Sequence, residues 1–252
     1  MLEIKGLSKS FGGIHAVQNI GFDVPKGNIV SLIGPNGAGK TTCFNLITGF
    51  YRPTQGQVLW NGADVTATSP CRMAQMGVIR TFQKTNVLRN LTAYENLMHA
   101  HYLRDRTSFW RVFWPDASVA AARAEIRESS LAILGLMGLA KRADVQASSL
   151  SCGELRLLEV GVALAARPRL LMLDEPAAGL NTREADGLAE LLSGLPGKWV
   201  ESILLVEHNM NLIMKVSDSI VVMNFGKKLA QGTPSEIQRN EEVLEAYMGK
   251  AA

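Results

Sequence analysis

Two kinds of hydrophobic spacing run along the chain, and each predicts a different element. Residues 2–4 and 20–24 alternate apolar and polar, the period of a strand with one buried face. Residues 29–33 are almost continuously apolar, as in a strand buried on both faces. A glycine-rich turn follows, and the pattern then predicts a helix over 39–48. Residues 56–60 predict a further strand, with Asn61-Gly62 as its turn signal. From about residue 86 to 166 the spacing turns helical and the composition alanine-rich. Strands and helices then alternate: strand 170–173, helix 183–195, strand 202–206, helix 209–216 and strand 220–223. Gly226-Lys227 predicts a hairpin turn before a last strand around Leu229, and a short helix closes near Tyr247.

This alternation argues an α/β fold with parallel strands joined by right-handed crossovers. The expected organisation is a single domain over 1–252. An α/β core takes 1–85 and 167–252, beginning with an antiparallel β region, and a helical subdomain is inserted at 86–166.

Composition changes this picture little. With 252 residues, 47% of them hydrophobic, the chain can bury a large core. The formal charge of +3 comes without any block of like charge, so nothing points to nucleic acid as a partner. Cys43, Cys71 and Cys152 are scattered and show neither a disulfide framework nor metal spacing, which suits a reducing cytosol. Glu3 and Lys5 interrupt the first apolar stretch, against a signal peptide. Nothing approaches the run of about 18 apolar residues that a membrane span needs. A membrane role would therefore run through a partner.

The chemistry begins at Gly34-Pro35-Asn36-Gly37-Ala38-Gly39-Lys40-Thr41, which fits G-x-x-x-x-G-K-[ST] at every fixed position. An apolar strand precedes it and a helix follows, the context the motif requires. Glycines allow successive amides to face one anion, and the helix N-terminus adds partial positive charge. Lys40 is expected to reach the β- and γ-phosphates of a nucleotide. The Thr41 hydroxyl is expected to ligate Mg²⁺, and Thr42 to add a phosphate contact. The apolar run at 170–173 ends in Asp174-Glu175. Such a strand is expected beside the phosphate-loop strand, its carboxyl end at the ligand crevice. Asp174 would then hold Mg²⁺, and Glu175, one residue on, would polarise the attacking water.

Further motifs make the resemblance specific. Leu150-Ser151-Cys152-Gly153-Glu154 resembles the LSGGQ signature of the ABC ATPase family, with Cys152 for a glycine and Glu154 for the glutamine. Ser151 can cap the helix start, and Gly153 lets amides approach a phosphate. The resemblance implies the ABC type of P-loop fold and an ATPase using ATP and Mg²⁺. It implies that Ser151, Gly153 and Glu154 contact ATP held by an opposite subunit, so the working unit is a dimer. Gln83 resembles the family's Q-loop glutamine, which senses Mg²⁺ or the water. His208 resembles the switch histidine near the γ-phosphate. Residues 178–181 resemble the D-loop, with Asn181 where aspartate is common, and Phe11 stands where an aromatic stacks on adenine. His15, His99 and His101 have no such support and read as structural.

Residues 77–83, 90–92, 95–97, 177–181 and 243–249 resemble the ATPases of branched-chain amino acid importers. That implies pairing with a second, related ATPase in a heterodimer. It also implies two transmembrane permease subunits, a solute-binding protein, and a place on the cytoplasmic face of the membrane. Relatives serving urea, amides, aromatic acids or lipopolysaccharide share many of these motifs. A non-transport ABC ATPase would need a fused second half or a nucleic-acid-binding extension. Finally, residues 102–114 mix Arg104, Arg106 and Arg111 with five aromatics, a composition suited to a membrane interface or a subunit contact, or to packing on the chain's own domain.

Overall fold

The structure, a computed structural model, describes residues 1–81, 87–104 and 117–248. Among these residues the chain forms two sheets. The first is antiparallel. Strand β1 (Leu2–Phe11) pairs with β2 (Ile14–Val24) on one side and with β4 (Gln55–Trp60) on the other, and β5 (Ala63–Asp64) lies beyond β4. The hairpin β1–β2 is much longer than the alternation at 2–4 and 20–24 predicts. Its pairing shifts between Ile4 and Leu7 and again between Leu7 and Lys9 and between Lys9 and Ser10. A bulge breaks the period of two, so only the ends of the hairpin show a clean alternation.

The second sheet carries the order β10-β9-β3-β8-β7-β6. Its strands are β3 (Ile29–Ile33), β6 (Val78–Arg80), β7 (Leu170–Asp174), β8 (Ser202–Val206), β9 (Ser219–Asn224) and β10 (Lys227–Gly232). All pairs are parallel except β9–β10. This order corrects one expectation. Strand β7 does not lie beside the phosphate-loop strand β3, because β8 pairs with both and separates them. Every residue of β3, β7 and β8 is buried, so all three belong in the interior of the sheet, and hydropathy cannot rank interior positions. The aligned carboxyl ends still bring their loops together: Leu32 pairs with Val206, and Val206 with Asp174.

The hairpin turn is also one residue off its predicted place. Phe225 and Gly226 are the two turn residues, with φ of 45° and 78°, and Lys227 already pairs with Asn224. Two positive φ values are what a two-residue type I′ turn needs. Phenylalanine hides that turn from a sequence reading, because Asn or Gly is its usual signal.

The helices are α1 (Lys40–Ile47), α2 (Pro70–Gln75), α3 (Ala93–Arg104), α4 (Ala117–Leu136), α5 (Cys152–Ala165), α6 (Thr182–Ser193), α7 (Met210–Val216), α8 (Pro234–Gln238) and α9 (Glu241–Met248). The single closing helix expected near Tyr247 is two helices. Thr233 caps α8 with Pro234 in its first turn, and α8 ends at Gln238, with Arg239 as its C-cap, before α9 begins at Glu241. Among the described residues, the stretch from 87 to 166 is built around α3, α4 and α5.

The parallel sheet is the wall between two cores. Leu171, Leu173, Ile203 and Leu205 face a cluster that includes Leu97 of α3, Ile133 and Leu134 of α4 and Leu158 and Leu164 of α5. Val30, Leu32, Met172 and Leu204 face the opposite cluster, with Phe44 and Leu46 of α1 and the inner face of the antiparallel sheet. Ile33, Ile220 and Val222 meet Ile237 of α8 and Val243 of α9 in a third. The glycine-rich loop after β3, the Glu175 turn after β7 and the His208 loop after β8 leave the carboxyl ends of this sheet.

Candidate functional site

The loop 34–39 leaves β3 and enters α1, and its glycines are required by close approach. At Gly34 φ is 150°, and a Cβ there would lie 2.1 Å from the carbonyl oxygen of Met223. At Gly39 φ is 99°, and a Cβ would lie 2.4 Å from the carbonyl of Ala16. Backbone cannot yield as a side-chain tip does, so the loop is pressed against β9 and β2 with no room for a side chain. Ala38 is buried, and its carbonyl accepts the N–H of Gly226 at 3.0 Å, while Pro35, Asn36 and Gly37 form the rim.

Lys40 is 8% exposed, and its Nζ donates to the carbonyls of Gly34 at 2.7 Å and Pro35 at 3.1 Å. Burial pushes its ammonium below the usual lysine value, and the charges of Glu175 and Asp174 oppose that shift. Thr41 is exposed and Thr42 half-buried. Both line a cleft of ≈ 570 Å³ with Asn36, Gly37, Ala38, Gly39, Lys40 and Glu175. That volume falls within the usual range for small-molecule sites.

Asp174 ends β7 and its side chain is fully buried. Its Oδ2 accepts from a guanidinium nitrogen of Arg80 at 2.7 Å, while its Oδ1 is buried without a hydrogen bond among the described residues. Arg80 itself ends β6, is 7% exposed and also reaches Asn45 on α1. Its guanidinium stacks 5.3 Å from the centroid of Phe44. Next to it, the Thr81 hydroxyl accepts the N–H of Asp174 at 3.3 Å. The Arg80 tie was missed in the sequence because an arginine in a mixed-polarity stretch gives no hint of its partner.

Glu175 takes φ of 51°, a left-handed conformation uncommon outside glycine, and its N–H donates to the Val206 carbonyl at 2.8 Å. Its Oε1 lies 3.9 Å from Nδ1 of His208, whose ring is 61% exposed on the loop after β8. Behind them sits Glu207, which the sequence reading passed over. It is 1% exposed and accepts main-chain N–H groups from Ala177, His208 and Asn209. The available signal was an acidic residue directly after a fully apolar strand and directly before His208.

The signature residues lie at the start of α5, apart from the residues lining this cleft. Ser151 and Glu154 form a capping box. The Ser151 hydroxyl accepts the Glu154 N–H at 3.2 Å, and Glu154 Oε2 accepts the Ser151 N–H at 2.8 Å. That N–H and the guanidinium of Arg142 hold the Glu154 carboxyl below the usual range. Gly153 is buried, and a Cβ there would lie 2.5 Å from the carboxyl of Glu184, which closes the matching capping box with Asn181 at the start of α6.

Phe11, at the end of β1, is 43% exposed and packs edge-on against Tyr51 at 5.3 Å, with Lys9 over its ring at 5.1 Å. It does not line the cleft itself. Ile14, His15 and Phe225 do, and none of these three was singled out by the sequence for binding. Cys43 is buried, and burial pushes its thiol up to about 12, so it is inert. Gln83 lies outside the described residues. So do the side chains of the arginine- and aromatic-rich stretch 102–114.

Comparison with known proteins agrees with this arrangement. A family model described as ABC transporter matches residues 17–178, and one described as branched-chain amino acid ATP-binding cassette transporter matches residues 227–252. The chain is 42% identical over 251 residues to the high-affinity branched-chain amino acid transport ATP-binding protein LivG of Escherichia coli (strain K12), covering 100% of this chain and 98% of that protein. It is 41% identical over 251 residues to BraF of Pseudomonas aeruginosa, which carries the same description, with the same coverage. Among solved structures it resembles a nucleotide-free ATP-binding cassette from an ABC transporter, with a TM-score of 0.84 at 28% identity over 99% of both chains. It also resembles the ADP conformation of an ATP-binding cassette of an ABC transporter, with a TM-score of 0.85 at 29% identity over 99% of both.

Proposed function

The chain belongs to the ABC transporter family as an ATP-binding, ATP-hydrolysing subunit, and from that premise we propose that it powers the import of branched-chain or closely related amino acids. Full-length similarity to LivG and BraF supports that class of solute, as does the match over the C-terminal residues.

The observation that carries the catalytic assignment is that Lys40 and Glu175 share the cleft at the glycine-rich loop, with Asp174 close enough to Lys40 to act on its charge and His208 3.9 Å from Glu175. In this reading Lys40 exchanges its two loop carbonyls for β- and γ-phosphate oxygens. The loop amides of residues 36–42 face the phosphates, and Phe11 stacks on the adenine. Thr41 and Asp174 hold Mg²⁺, with Gln83 as a further contact. The residues fit such an ion, since Oδ1 of Asp174 is a buried acceptor without a protein donor among the described residues. Bound there, Mg²⁺ would supply neutralisation of phosphate charge. Glu175 accepts a hydrogen bond from the attacking water, and His208 supports the closed geometry beside the γ-phosphate.

The signature residues Ser151, Gly153 and Glu154 serve a nucleotide held by a second, related ATPase. Two permease subunits and, through them, a solute-binding protein complete the assembly on the cytoplasmic face of the membrane. The core at 1–85 and 167–252 carries the nucleotide, and the helical insertion at 86–166 carries the signature to the partner. Among the described residues no helix is long and apolar enough to cross a membrane.

The Glu175→Gln variant is the test. Mg²⁺-dependent hydrolysis should fall by about 100-fold or more while ATP binding persists. Hydrolysis at full rate would remove Glu175 as the group acting on water. In cells, loss of the chain should abolish leucine uptake. Normal leucine uptake alongside loss of another solute would overturn the amino-acid assignment.

A further inference from the structure

The carboxyl group of Glu207 joins two loops that the strands alone leave separate. The last paired residues of β7 and β8 are Asp174 and Val206. One step further, the Glu175 N–H still finds the Val206 carbonyl at 2.8 Å. The next residue, Pro176, has no N–H to donate, and the backbone ladder ends there. Glu207 takes over with its side chain. Its Oε1 accepts the N–H of Ala177 at 2.7 Å. Its Oε2 accepts the N–H of His208 at 2.7 Å and that of Asn209 at 3.0 Å.

All three donors are main-chain amides, so their directions are set by the two loops themselves. Ala177 follows the left-handed residue Glu175 by two positions. Asn209 caps α7, its Oδ1 accepting the Leu212 N–H at 3.2 Å, so the second loop is anchored to a helix. Burying a carboxyl group is costly unless each oxygen is satisfied, and here both are. An apolar residue of similar size would pack at less cost but would leave three amides without partners.

We propose that Glu207 is a positioning residue that makes the Glu175 turn and the His208 loop one rigid body. It fixes the 3.9 Å separation of Glu175 Oε1 and His208 Nδ1. It touches neither nucleotide nor water and acts only through those two residues. The inference rests on the roles assigned above to Glu175 and His208.

The experiment compares the full-length wild-type chain, assembled with its partner ATPase, with Glu207→Gln, His208→Ala and the double variant Glu207→Gln/His208→Ala. Glu207→Gln keeps the volume but presents an amide NH₂ to amide donors. Its kcat for ATP hydrolysis should fall on the order of 10- to 100-fold, while KM and the affinity for a fluorescent ATP analogue stay within about twofold. The double variant should lose less than the product of the two single losses, since part of the Glu207 effect runs through His208. Unchanged kcat in Glu207→Gln, or losses that multiply in the double variant, would overturn the proposal. So would a parallel fall in analogue binding and kcat, because that is general damage to the fold. Amide hydrogen exchange in the wild-type chain needs no variant to fold. Slow, concerted exchange at Ala177, His208 and Asn209 is expected, and rapid exchange at Ala177 alone would sink the clamp. If the chain assembled with its partner ATPase bound ATP but did not hydrolyse it, the assignment of Glu175 and His208 would fail first, and the exchange result would still judge the clamp.

Discussion

At the scale of single residues, the arrangement around Asp174 is governed by charge held away from water. The Asp174 side chain is fully buried and that of Arg80 is 7% exposed, so the pair is screened little by solvent. A buried ion pair adds modest net stability when intact, but removing one partner strands the other. Arg80→Met should therefore destabilise the nucleotide-free chain by about 3–5 kcal/mol, read as a lower urea midpoint. Arg80→Lys should recover only part of this, because an ammonium cannot reach Asp174 and Asn45 together as the planar guanidinium does. A loss below about 1 kcal/mol for Arg80→Met would mean that Asp174 finds another donor or water. If Asp174 holds Mg²⁺ as proposed, the same pair explains how its carboxylate can stay buried in a folded chain before the ion binds. One oxygen is paired with Arg80, and the other is without a hydrogen bond among the described residues.

At the scale of elements, turns and caps decide where each functional group stands. The β9–β10 turn seats Phe225 in a left-handed conformation with its ring 83% exposed, so the chain bears the conformational cost without burying the ring. Phe225→Asn should stabilise the fold by about 1 kcal/mol, seen as a higher urea midpoint with an unchanged slope. A lower midpoint would mean that the ring makes contacts worth more than the strain. This turn also marks the limit of what the sequence reveals. The phosphate loop, the acidic end of β7 and the cap at Ser151 are legible because each needs particular residue types at fixed spacing. The β1–β2 hairpin is half legible, because its bulges scramble the alternation between its ends. The place of β8 between β3 and β7 is not legible, since three fully buried strands look alike in hydropathy. Glu207 falls outside any motif, Arg80 stands within 77–83 without a role of its own there, and their partners Ala177 and Asp174 are 30 and 94 positions away in the chain.

At the scale of the whole molecule, the parallel sheet is a shared wall, so events at its carboxyl edge bear on all three clusters packed against it. Nucleotide that binds only the folded chain must raise its stability, by about 2.7 kcal/mol at a hundredfold excess over Kd. A thermal melt of the wild-type chain with MgATP should therefore shift upward, and Lys40→Ala should melt at one temperature with or without it. A shift surviving in Lys40→Ala would place the main binding contacts elsewhere. The resting contacts of Lys40 carry a further consequence, in the currency of rates. Its ammonium is held by the carbonyls of Gly34 and Pro35, so a phosphate bound as proposed meets a cradle whose lysine is turned inward. Capture then takes two steps: a loose encounter at the exposed amides, followed by a swing of the lysine that is independent of nucleotide concentration. The observed association rate therefore levels off as nucleotide is raised, and the plateau measures how fast the loop lets go of its own lysine.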